Sequence, residues 1–81
     1  MSMVIRYVIQ FANTSKIHAE INRGNDKAFR CSFFSMWEKT MISLKASYAS
    51  ENEALEDLQR AIKTYYRSPT VGIREDSRFL N

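Results

Sequence analysis

Residues 3–12, MVIRYVIQFA, alternate with a period of two, whereas residues 50–66 carry apolar side chains three and four positions apart. A strand sends alternate residues to one face, and a helix gathers every third and fourth. A chain that keeps the first period through its N-terminal half and switches once to the second must bury a sheet face under a single helix.

In the first strand Met3, Ile5, Tyr7, Ile9 and Phe11 share one face, and Val4, Arg6, Val8 and Gln10 the other. The polar NTSK at 13–16 is a turn. IHAEINR (17–23) alternates again, with Ile17, Ala19 and Ile21 inward. RGND (23–26) follows as a second turn, since Gly24 and Asn25 tolerate positive φ. FRCSFF (29–34) splits into Phe29, Cys31 and Phe33 inward, and Arg30, Ser32 and Phe34 outward. The chain turns around Trp37–Lys39, and TMISLKASY (40–48) reads as a fourth strand with Ile42, Leu44 and Ala46 inward.

The helix is expected over about residues 51–67. Ser50 and Glu53 have the spacing of a capping box. Ala54, Leu55, Leu58, Ala61, Ile62, Tyr65 and Tyr66 make its apolar stripe, with acids near its start and Lys63 and Arg67 near its end. Glu56 and Arg60 are placed to pair at i,i+4. Ser68-Pro69 stops it, because proline disfavours helical geometry in the residue before it.

The expected fold is therefore a two-layer α+β domain. A three- to four-stranded antiparallel sheet, in the order ββββα, packs on one helix, and Val71-Gly72-Ile73 adds a short C-terminal strand. Residues 1–73 form this domain, and the charged residues 74–81 are expected as a loose tail. At 81 residues the core is small.

Composition narrows the chemistry. One Cys and one His provide neither an internal disulfide nor a four-ligand zinc site. No metal, cofactor or catalytic residue is expected. His18 and Glu20 lie on one strand face without a nucleophile beside them, and there is no glycine-rich phosphate loop. Cys31, between Phe29 and Phe33, reads as a small buried hydrophobe. The N-terminal apolar run contains Arg6 and lacks a small-residue cleavage pattern, and no apolar run approaches the ~20 residues that span a bilayer. A cytoplasmic protein with no membrane partner is expected.

One helix covers one sheet face. The other mixes apolar and charged residues, and it supplies the expected partner-binding set: Arg6, Val8, Arg30, Phe34 and Met41, with Trp37 nearby. Such residues carry the energy of protein interfaces. The expected function is a small non-enzymatic protein-interaction module, a regulator or inhibitor of the kind that phages and mobile elements encode. It would occupy a protein partner's surface through the outer sheet face or an edge strand, with self-association into a homodimer as a variant.

The alternative is a small basic nucleic-acid-binding domain using the sheet face. Residues 1–48 hold seven Lys/Arg against three Asp/Glu, while residues 49–81 hold five against six. DKAFRCSFF lacks the glycine of the RNA-recognition motif's aromatic strand, and a single late helix does not match that fold. A sheet followed by a helix, with ASYASENEALEDLQRAIKTYYRSP as the helix segment, resembles plant AP2-type and integrase arm domains, which lay a sheet in the DNA major groove. The run of Arg and Trp that such sheets use is missing here. Nucleic acid therefore ranks below a protein partner.

Overall fold

The computed structural model describes residues 2–80. They form β1 (Met3–Phe11), β2 (Lys16–Arg23), β3 (Phe29–Ser35), β4 (Thr40–Ser43), α1 (Glu51–Tyr66) and β5 (Thr70–Leu80). All pairings are antiparallel, and the sheet order is β4-β3-β2-β1-β5. The architecture is the expected two-layer α+β domain, with five strands rather than three or four.

The period-two alternation sets the register. Ile5 faces Ile21, Tyr7 faces Ala19 and Ile9 faces Ile17 across β1 and β2, while Ala19 faces Phe33 and Ile21 faces Cys31 across β2 and β3. These inward residues meet Ala54, Leu58 and Ile62 of α1 in one buried cluster. Full burial of an aliphatic side chain is worth about 1.5–3 kcal/mol, so this cluster dominates stability.

The helix starts where expected. Ser50 Oγ accepts the Glu53 N–H at 3.2 Å, and the Glu53 carboxylate reaches back to the Ala49 N–H at 3.4 Å, one residue upstream of the usual capping-box partner. It ends one residue early. Arg67 takes left-handed geometry at φ 54° and donates its N–H to the Lys63 carbonyl. Arg60 pairs with Asp57 at i,i+3, not with Glu56, and Asp57 also accepts the Tyr48 hydroxyl at 2.9 Å.

Two other expectations are corrected, and the β2–β3 turn forms with its own geometry. The charged residues 74–80 are not a loose tail; with Thr70–Ile73 they build β5 along the whole of β1, while Asn81 lies outside the described residues. The charges are accommodated because β5 is an edge strand: Arg78 donates to both Glu51 and Glu75 on the helix side, and Arg74 pairs with Asp76. The outer sheet face is consequently not covered by this segment. The fourth strand ends at Ser43; the chain then bulges away and returns to bridge Phe29 through Tyr48. In the β2–β3 turn, Gly24 and Asn25 do not take positive φ; Lys27 does, at 66°. There the Lys27 N–H closes on the Gly24 carbonyl at 3.0 Å, and Asp26 Oδ1 accepts the Ala28 N–H at 3.1 Å. Gly24 is instead suited to a close approach: a Cβ there would stand 3.1 Å from Asp26 Oδ1.

Candidate functional site

A five-stranded sheet is about 19 Å wide, and one helix covers roughly half of that. The helix packs mainly over β3 and β2, so both flanks of the inner face lie beyond it. The two flanks differ in chemistry. On the β5 side the helix-facing residues include Glu75 and Arg78, which close a network with Glu51. The Tyr7 hydroxyl donates to Glu51 at 3.5 Å; burial, then the negative charge of Glu51, pushes Tyr7 up to about 12. At this end the flank is polar and its charges are paired, and toward Ile73 a smaller hollow of about 190 Å³ lies between Gln59 of the helix and Thr70–Ile73 of β5.

On the β4 side the floor is apolar and open. Phe33, Ile42 and Leu44 of the sheet meet Ala61, Thr64 and Tyr65 of the helix around a groove of about 480 Å³. Asp57 and Arg60 stand on its rim, paired with each other. One long side of this groove is β4, an edge strand.

Two tyrosines at the end of α1 fix the β3–β4 turn beside the groove. The Tyr66 hydroxyl donates to the Phe34 carbonyl at 2.6 Å and accepts the Met36 N–H at 3.0 Å. Tyr65 shares a 2.7 Å hydrogen bond with Ser35 Oγ, which also accepts the Glu38 N–H at 3.0 Å. Trp37 rests on this pair, 4.9 Å from the Tyr66 ring and 5.3 Å from Tyr65, yet remains 64% exposed. Tyr65 thus both lines the groove and supports Trp37. Trp37 lies at the helix end of the domain and not beside the outer sheet face.

The other sequence-derived candidates do share the outer face. Phe34 and Met41 are direct cross-strand partners, and Val8 stands between His18 and Arg74. The arginines of this face are engaged. Arg6 lies 3.7 Å from Glu20 with its guanidinium over the Phe79 ring, and Arg30 makes a 2.8 Å pair with Asp26. The Arg30 hydrogen bond, with the Ala28 N–H, holds Asp26 down at about 2. His18 therefore has no pair in Glu20, which turns to Arg6.

Cys31 is buried, and its thiol donates to the Ala54 carbonyl at 3.3 Å. Burial, then Asp57, pushes it up to about 11, which keeps it protonated and unreactive near neutrality. No group of three or more His, Cys, Asp or Glu among the described residues is arranged to hold a metal ion, and no described helix is long and apolar enough to cross a membrane.

The two edges of the sheet contrast as well. β5 carries Arg74, Glu75, Asp76 and Arg78, and its register against β1 skips at Asp76 and at Val71. Charges and bulges of this kind keep an edge from pairing with another chain. β4, Thr-Met-Ile-Ser, has no charge within it and no register shift against β3. The sequence points to an edge strand without saying which edge, and it does not reveal the groove. The available signal was the apolar Ile42 and Leu44 beside a helix too narrow for the sheet.

Fold and site together define a two-layer α+β domain with one open apolar flank. The chain matches no protein-family model, and neither the curated proteins nor the solved structures yield a significant match.

Proposed function

We propose that this protein is a small non-enzymatic protein-interaction module, a regulator or inhibitor, that docks an extended segment of a partner protein along β4. The observation that supports this reading is the conjunction of the uncharged edge strand Thr40–Ser43 with the open groove behind it. An added strand gains main-chain hydrogen bonds from the edge, and its alternate side chains enter the groove. Of the six exposed large hydrophobics among the described residues, Met36, Trp37 and Met41 lie on or beside this hairpin, where they would border such a segment. Trp37 and Met41 thereby keep their proposed roles, Met41 from the outer side of β4 itself, while Arg6, Val8, Arg30 and Phe34 lie on the outer face of other strands.

Affinity capture tests the choice between surfaces. Thr64→Arg fills the groove from an exposed helix position, and Ile42→Asp places a charge on its floor. Both should lose a partner that the wild type and a Phe34→Ala/Arg30→Glu variant retain. Retention by both groove variants, with loss by the outer-face variant, overturns the reading.

A nucleic-acid partner fits less well. Arg6, Arg30 and Arg74, the arginines of the outer face, each pair with a carboxylate, which a phosphate would have to displace.

A further inference from the structure

We infer that the segment docked on β4 is an acid-flanked strand of a different protein and not a second copy of this chain; this rests on the docking reading above. Lys39 immediately precedes β4 and Lys45 follows it by two residues, so the exposed stretch reads Lys-Thr-Met-Ile-Ser-Leu-Lys. Both lysines are exposed, and no described carboxylate lies within ion-pair distance of either.

The nearby acids are already engaged. Glu38 accepts the Tyr65 hydroxyl at 3.3 Å, and Asp57 holds both Tyr48 and Arg60. The docking edge therefore presents two unmatched cations, one at each end, with uncharged residues between them.

This pattern discriminates between occupants. Lys39, in the turn before β4, and Lys45, past its end, flank the edge as cations, so a second copy laid antiparallel along β4 would bring its own two lysines toward these two, with no acid within either strand to offset them. Directly opposed like charges destabilise strand pairing, and opposite charges favour it. A foreign strand with an acidic residue at each end neutralises both lysines. Its alternate apolar residues share the parity of Ile42 and Leu44 and point into the groove lined by Phe33, Ala61 and Tyr65. Lys39 and Lys45 then also reject basic or self partners, which makes the strand selective as well as open.

Two synthetic probes separate the alternatives on the full chain. One is a capped heptapeptide of three valines alternating with two threonines, closed at both ends by glutamate. The other has lysine at both ends. Amide-resonance titration should show the acidic probe shifting residues of β4, with affinity about tenfold above the basic probe, as two exposed ion pairs allow. A Lys39→Glu/Lys45→Glu variant should reverse the order, and added salt should narrow the difference. Equal binding of both probes at β4 overturns the charge selection while leaving the docking edge standing. Binding of neither probe at millimolar concentration overturns both. A chain that is itself dimeric through β4, seen as concentration-dependent shifts of the same residues without probe, overturns the preference for a foreign partner.

Discussion

The Trp37 ring stacks on Tyr66, with centroids 4.9 Å apart and planes inclined at 29°. Tyr66 in turn holds the Phe34 carbonyl and the Met36 N–H through one hydroxyl. The helix end is thereby joined to the β3–β4 turn, and the position of β4 beside the groove depends on that junction. Tyr66→Phe keeps the ring and removes both hydrogen bonds. It should lower stability by about 1–2 kcal/mol and change the emission of Trp37, the sole tryptophan. Urea denaturation followed by fluorescence measures both effects; an unaltered midpoint would mean that the junction carries no load.

The core makes a sharper demand. Leu58 and Ile62 are wholly buried where the helix meets β1, β2 and β3. Ile62→Val should cost about 0.5–1.5 kcal/mol, and Leu58→Ala about 2–5 kcal/mol, a large part of the roughly 5–15 kcal/mol that a domain has in total. Circular dichroism should find the first variant folded with a lower midpoint, and the second partly unfolded at room temperature. Equal, small losses would place these side chains outside the core.

β5 supplies a third test. Deleting residues 74–81 removes six of the nine register partners of β1 and the Arg78 link to Glu51. The deletion should destabilise the domain by at least about 2 kcal/mol, from lost ladder hydrogen bonds and uncovered β1. A loose tail would be dispensable, and an unchanged thermal midpoint would return it to that status.

The sequence was clear where one period governs one face. Every inward residue from Ile5 to Phe33 named on alternation lies in the buried cluster, because a one-residue slip would put all of them in water. It was silent where neighbours decide. REDSRFL has no clean alternation and four charges, so its strand character comes from pairing with β1 and from the Arg78–Glu51 and Arg78–Glu75 contacts, all distant in sequence or dependent on the fold. The groove was hidden for a related reason: its emptiness depends on which strands the helix covers, and that follows from strand order. Trp37 is legible as a candidate near the sheet, but its place at the helix end is not, because its platform, Tyr65 and Tyr66, lies on another element.

Alkaline pH should weaken the fold. Tyr48 and Tyr7 ordinarily ionise near 10 and are both pushed up to about 12, by burial first and then by Asp57 and Glu51, respectively. Between those values the unfolded chain has released protons that the folded chain retains, so stability is fully present below about 10 and falls as pH rises toward about 12. Cys31, raised from 9.0 to about 11, starts the decline earlier. Urea midpoints at about pH 8 and about pH 11 should therefore decrease, and Tyr48→Phe should reduce the slope. A midpoint that rises with pH would contradict these environments.

The most direct test of docking along β4 is site-specific photocrosslinking in cells. A benzophenone amino acid in place of Met41 sits on β4, one in place of Val8 sits on the outer face, and one in place of Arg74 sits on the opposite edge. Docking along β4 predicts a discrete adduct with another protein from position 41, lost when Thr64→Arg is added, and none from positions 8 or 74. Adducts from position 8 or 74, with none from position 41, would contradict it.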